Sequence, residues 1–446
     1  MSDAPWSGRR LHFIGIGGAG MSGLAIVALG LGARVSGSDR AESSYSRHLR
    51  EAGVEPAIGH DAANVPDGAE VVVSTAIAED NPELAAARAA GLRILHRGEL
   101  LGEVSRLKRC VAVAGTHGKT TTASMVAHAL VSCGRRPAYL IGGEVRSTGS
   151  NASWGQGDWV VVEADESDRS FLRLAPDVAL VTNVELDHHS TYRTLPEVEQ
   201  AFAEFAGPAP TVIAPAGLEL RGAPPTVTFG IDSGTFPARE LELLPTGSRF
   251  KVEGTAVELR VPGAHNVLNA LAALAACREA GLDVPEAAPA LAGFTGAGRR
   301  FEPHGRTASG ALVYDDYAHH PTEVRATLEA ARTLEPERLV AVFQPHLYSR
   351  TQALAGEFGR ALALADLVVV IDIYPAREDA ADFPGVSGWL VAGATASAAA
   401  GRPVFWFPQM DDAESFLRRE LRDGDLLLTL GAGDVDGLAK RLGGQQ

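Results

Sequence analysis

The chain has 446 residues, 46% of them apolar types, and a net charge of −15 with neutral histidines. That length predicts about three domains of ordinary size, and the acidic balance excludes a surface built for nucleic acid or anionic membrane, which needs basic patches. No apolar run approaches the roughly 18 residues that span a bilayer, and Cys110, Cys133 and Cys277 lie far apart in apolar segments, which reads as buried thiols in a cytoplasmic protein.

The first block opens with "MSDAPWSGRRLHFIGIGGAG". Two arginines precede an apolar stretch, but glycines follow at once and no small-residue cleavage site fits, so no secretion signal is expected. The stretch reads instead as a strand, a glycine turn and a helix, followed by strands in "AEVVVSTAI" and "GLRIL". Gly15, Gly17 and Gly20 form G-x-G-x-x-G, and Asp39 ends the next strand about twenty residues later, the spacing of a dinucleotide fingerprint with its ribose-binding acid. On spacing alone a hydride-transfer enzyme fits.

The second block begins near residue 108 with "RCVAVAGTHGKTTTASMVAHAL". Gly115 and Gly118 let the backbone curl so that its amides point inward at a phosphate, at the positive end of the helix that follows. Lys119, one of only four lysines in the chain, would reach terminal phosphates, and Thr120 or Thr121 would offer a hydroxyl to Mg²⁺. The loop is two residues shorter than the common Gly-x4-Gly-Lys-Ser/Thr form, which points to a different nucleotide-binding family. "WVVVEADESDRSFL" and "VALVTNVELDHHSTY" end apolar strands in Glu163, Asp165, Glu166 and Asp168, and in Asn183, Glu185, Asp187, His188 and His189. Acids at strand ends beside a phosphate loop suit a divalent cation, although Mg²⁺ prefers oxygen to imidazole. Residues 207–262 read as short strands with Pro and Gly turns, and "NVLNALAALAACREAGL" as a helix with one apolar face.

The third block, from about residue 297, alternates strand and helix again, with the alanine-rich "VAGATASAAAG" as a small-residue helix. Arg300 stands at the hinge between blocks. Asp316, Tyr317 and His319 follow the strand "ALVY", and His346 and Arg350 follow "LVAVF". The fold class is α/β in three domains: an N-terminal Rossmann-like domain (1–107), a central P-loop ATPase-like domain (108–296) and a C-terminal Rossmann-like domain (297–446).

"GTHGKTTT", "EADESDRSFL", "TNVELDHHSTY", "GAHNVLNALAA", "GAGRRFE", "DDYAHHPTE" and "QPHLYSRT" occur in the order seen in the Mur ligases, and the chain resembles that family over essentially its whole length. The resemblance implies that Gly115, Thr116, His117, Gly118, Lys119, Thr120 and Thr121 cradle ATP and that Thr120, Glu163 and His188 attend Mg²⁺. It also implies that Asn266 and Asn269 lie near the adenine or a second metal. Arg300, Asp316 and Tyr317 would serve the nucleotide, and His319, His346 and Arg350 the amino acid. Gly15, Gly17, Gly18, Gly20, Asp39 and Ser74 would hold the diphosphate and sugar of UDP-N-acetylmuramate, since a single nucleotide needs only half a dinucleotide fold.

The implied activity is ATP-dependent amide formation between UDP-N-acetylmuramate and L-alanine, with Lys119, Glu163, His188, Arg300 and His319 as the catalytic set. Two departures bear on it. Leu347 stands where many relatives carry arginine, and no lysine lies between Lys119 and Lys251 to act as the carbamylated metal ligand of other branches, which fits the alanine-adding one. A monomer or weak homodimer is expected. The rivals are a tripeptide-recycling ligase of the same family, an NAD-dependent dehydrogenase, which leaves the second loop unexplained, and a non-catalytic UDP-sugar sensor, which leaves the acids and histidines without use.

Overall fold

The structure, a computed structural model, describes residues 4–189 and 191–444. Its strands form three sheets. In the first, Arg10–Ile14 pairs in parallel with Arg34–Asp39 on one side and Glu70–Val73 on the other, and Ala57–Ile58 and Ile94–His96 complete five parallel strands. The strand order reverses beside Arg10–Ile14. The crevice where such sheets take ligands therefore opens over the glycine turn that leads into helix Ala19–Gly30.

In the ten-stranded central sheet, Arg109–Ala114 lies between Trp159–Glu163 and Val178–Val181, all three parallel. These strands are buried on both faces, which is why their sequences run apolar without alternation. Their carboxyl ends bring the "GTHGKT", "EADES" and "NVELDHH" turns side by side. The stretch expected to hold short strands supplies Thr211–Pro215, Val227–Ile231 and Phe236–Leu244, and an antiparallel extension through Gly247–Val252 and Thr255–Leu259. Helix Ala264–Glu279 departs from the expectation of one apolar face, for eleven of its sixteen residues are buried. Alanine is small enough for neighbours to close in all round, and a helix apolar on every side is a core helix.

The third sheet has six strands in the order Glu302–Arg306, Leu312–Asp316, Asp425–Leu430, Arg338–Phe343, Leu367–Ile371 and Val404–Phe407, parallel except at the first pair. The alanine-rich segment is helix Gly388–Ala398, as expected.

Apolar packing divides the molecule unevenly. One buried cluster runs from Leu24, Val27 and Ala28 through Leu140 and Ala152 to Val160 and Val162, fusing the first block to the central one. Among the described residues, the buried clusters around Phe343 and Phe358 and around Val340 and Leu417 stay within the third block. Cys110 and Cys277 are buried as expected, but Cys133 is only half-buried, because it caps helix Lys119–Ser132 where the chain leaves the core. No described helix is long and apolar enough to cross a membrane.

Candidate active site

Strand Arg109–Ala114 delivers the chain into the shortened loop. Gly115 has φ +140°, and a Cβ there would collide with the Thr182 side chain; Gly118 has φ +80°, and its Cβ would sit 2.6 Å from Asn269 Oδ1. Neither position tolerates a side chain, so the short loop lies close against its neighbours. Asn183 ties it down, accepting from His117 N at 2.9 Å through Oδ1 and from Thr116 N at 3.2 Å through its carbonyl. Helix Lys119–Ser132 starts immediately, so its positive end faces the loop.

The charged groups beside the loop are sorted by partner. Lys119 Nζ donates to Gly115 O at 2.6 Å and lies 2.9 Å from Glu166 Oε2. Burial opposes the charge of Lys119, but Glu166, Asp165 and Glu163 outweigh it and raise the pKa. Glu166, itself 1% exposed, also meets His188 Nε2 at 3.1 Å. Thr120 Oγ1 donates to Glu163 Oε1 at 3.0 Å, and Gly142 N to Glu163 Oε2 at 2.7 Å. Asp165 and Asp168 face the other way, to Arg97 of the first block, at 2.8 and 3.0 Å. The expected acidic shell is thus two groups: Thr120, Glu163, Glu166 and His188 at the loop, and an Arg97 clamp between blocks. Glu166 is legible in the sequence only as one of four strand-end acids, and nothing in the sequence singles out Arg97.

The loop forms part of the wall of two cavities. One, of about 650 Å³, is lined by His117, Gly118, Thr121, Asn266, Asn269, Arg300 and Asp316, with Phe294 and His265. The other, of about 1030 Å³, reaches all three blocks and is lined by Gly20, Tyr45, Lys119, Thr120, Glu163, His188, Arg300, Tyr317 and His319. Gly118, Arg146, Arg300 and Glu323 border both.

From the third block, Tyr317 lies between Arg299 and Arg300, each guanidinium 5.1 Å from its ring centre. Asp316 accepts from Phe301 N and Ala318 N, both at 2.8 Å, yet burial pushes its pKa up to about 6. His319 Nδ1 lies 3.0 Å from Tyr317 O and 3.2 Å from Glu323; burial is the largest influence and lowers its pKa. His346 stands edge-on to His319 at 5.9 Å and stacks on Tyr374 at 5.8 Å, and burial lowers its pKa to about 2, with His319, Arg350 and Arg377 adding to the effect. Arg350 touches His346 Nδ1 at 3.2 Å, but its guanidinium is engaged by Asp187 at 2.9 and 3.1 Å, both side chains 3% exposed. His319, His346 and Arg350 therefore lie together, but only His319 lines a cavity and Arg350 is already paired. Leu347 is buried at φ +71° before helix Tyr348–Leu362, so it packs rather than lining either cavity.

In the first block, Asp39 Oδ2 accepts from Gly17 N at 2.9 Å and Ser43 Oγ donates to Gly17 O at 2.8 Å. Asp39 thus shapes the glycine turn with one of its two oxygens. Ser74 Oγ accepts weakly from Ala76 N at 3.4 Å. Of the first-block residues expected at the ligand, only Gly20 lines the larger cavity; Gly15, Gly17, Gly18, Asp39 and Ser74 line neither of the two.

Three family models match in register with the three blocks: "Mur ligase family, catalytic domain" at residues 10–109, "Mur ligase middle domain" at 113–277 and "Mur ligase, glutamate ligase domain" at 299–433. The chain is 46% identical to the UDP-N-acetylmuramate–L-alanine ligase of Streptomyces coelicolor, covering 97% of this chain and 96% of the relative. It belongs to the Mur ligase family. The ligase of the same name from Rubrobacter xylanophilus is also 46% identical, over 97% of this chain and 99% of its own. Among solved structures, the UDP-N-acetylmuramate–alanine ligase of Thermotoga maritima superposes with a TM-score of 0.84 at 32% identity, covering 97% and 98% of the two chains. A murein peptide ligase from Psychrobacter arcticus follows with 0.72 at 27%, covering 98% of each.

Proposed function

We propose that this chain is an ATP-dependent ligase that joins L-alanine to the carboxylate of UDP-N-acetylmuramate, yielding UDP-N-acetylmuramoyl-L-alanine, ADP and phosphate for peptidoglycan precursor synthesis. The observation that carries the reading is the phosphate loop between two cavities. ATP enters the smaller one, so that its γ-phosphate passes Gly118 and Lys119 into the larger, where the muramyl carboxylate meets it. Residues 1–107 hold the UDP-sugar, 108–296 the ATP, and 297–446 the amino acid.

Mg²⁺ fits beside the loop, because Thr120 and Glu163 place two oxygen donors 3.0 Å apart there, and oxygen is what this cation prefers. Thr120, Glu163 and His188 would hold it, and bound there it supplies positive charge opposite the phosphoryl oxygens. The carboxylate attacks the γ-phosphorus, ADP leaves, and an acyl phosphate forms. Lys119 offsets the charge spreading over the transferred oxygens. The alanine amine then attacks the acyl carbon and phosphate departs. His319 donates through Nδ1 to Tyr317 O, which leaves Nε2 free to accept the amine proton, and burial keeps that ring neutral. Water must stay out while the acyl phosphate exists, which gives the third domain a reason to close.

A tripeptide-recycling ligase is the second reading, favoured by the structural likeness to the murein peptide ligase. Incubating the chain with ATP, UDP-N-acetylmuramate and equal L-alanine and tripeptide, and weighing the nucleotide products, separates the two. A mass gain of one alanyl residue is expected, and preferential gain of the tripeptide would overturn the alanine assignment.

A further inference from the structure

Where the phosphate loop meets the third block, three metal-binding side chains converge from three separate segments. His117 belongs to the loop, Glu185 follows strand Val178–Val181, and His320 precedes helix Pro321–Arg332. Glu185 Oε2 is 3.4 Å from His117 Nε2 and 3.8 Å from His320 Nδ1, a nitrogen that also accepts from Thr322 N at 3.4 Å and must release that weak cap to bind a metal, and one donor atom from each residue lies within 4.8 Å of the other two. Zinc bonds of about 2.0–2.1 Å in a tetrahedron separate neighbouring ligand atoms by about 3.3 Å, so two of these spacings need shrink by only a few tenths of an ångström. The surroundings would suit a metal-bound imidazole. His117 turns its other nitrogen, Nδ1, to Glu323 at 3.4 Å, the carboxylate behind a histidine ligand that fixes ring orientation. Thr322 Oγ1 donates to Glu185 at 2.7 Å.

We propose that His117, Glu185 and His320 form a site for a zinc-class transition metal, separate from the hard-cation position at Thr120 and Glu163, and that a metal there staples the phosphate loop to the C-terminal domain. Three protein ligands leave a fourth position open toward the smaller cavity, which His117 and Glu185 line. Two imidazoles and one carboxylate select zinc or cobalt over Mg²⁺. His117 must lose a proton to bind, so occupancy falls as pH falls. A stapled interface cannot open, and zinc at a concentration far below that of Mg²⁺ slows turnover; this consequence alone rests on the ligase reading.

The test is a Co²⁺ titration of the whole chain in excess Mg²⁺, followed by the visible absorption of four-coordinate cobalt, with Zn²⁺ inhibition read in parallel against each variant's own uninhibited rate. Wild type should show one equivalent of the band. Glu185→Gln and His320→Asn, the latter capping its helix with an amide oxygen in place of the imidazole Nδ1, should lose it and resist Zn²⁺ at least tenfold, while Thr120→Ala should keep the band. A band that survives in His320→Asn, or no stoichiometric band in wild type, overturns the site. A correct pattern of bands without Zn²⁺ inhibition overturns the staple.

Discussion

Lys119 and Glu166 carry the loop's electrostatics as a pair. In the proposed reaction Lys119 faces the developing negative charge, and replacing one such preorganised donor costs on the order of 10²–10³ in kcat. Lys119→Ala is expected to lose at least that much product formation while keeping its fold. Glu166 acts through Lys119 and His188, so Glu166→Gln should lower kcat more than it raises KM; equal loss of both would show a merely structural role. His117 supplies a pH signature. Burial disfavours its charge, but Glu185 and Glu323 overcome this and raise its pKa to about 9. The stabilisation this brings is complete below the unfolded value of about 6.5 and is lost as pH rises through about 9. Melting temperatures between pH 6 and 10 should therefore fall for wild type across that window and fall less for Glu323→Gln.

Elements explain which features could be read in advance. The glycine–lysine–threonine loop was legible because only glycine fits at φ +140° against Thr182 and because lysine is rare in this chain. Gly115→Ala should abolish ATP binding in a calorimetric titration while leaving the far-ultraviolet circular dichroism unchanged. Parallel strands were legible too, from apolar runs that end in polar turns. Partner choice among equivalent side chains was not. Glu163, Asp165, Glu166 and Asp168 are interchangeable acids in sequence, and their sorting depends on Arg97, some seventy positions away in the chain. The same holds for Arg350, expected at the amino acid and found against Asp187. Removing one partner of such a buried pair costs about 3–5 kcal/mol, because a lone charge stays behind. Arg350→Ala is expected to lower chemical-denaturation stability by that order, and Arg350→Ala with Asp187→Asn to recover part of it.

At the scale of the molecule, apolar packing joins the first domain to the second, whereas the third meets the second through ion pairs and hydrogen bonds such as Arg350 with Asp187, Thr322 with Glu185, His117 with Glu323 and Arg146 with Glu302. Polar interfaces of this kind open more readily than apolar ones. In the proposed ligase the third domain is then the moving part, and the fused pair presents the UDP-sugar and the ATP to one another at fixed spacing. The sequence pattern could reveal three α/β units but not which two share a core, since that depends on small residues such as Gly23 fitting against Ala152. In the proposed reaction the loop's phosphate chemistry is coupled to a carboxylate held by the first domain and an amine held by the third. Phosphate release from ATP tests it most directly, measured with and without UDP-N-acetylmuramate and with L-alanine, other amino acids or tripeptide as acceptor. Release that requires the UDP-sugar and turns over with L-alanine is the expected result; release independent of the UDP-sugar would rule out that coupling.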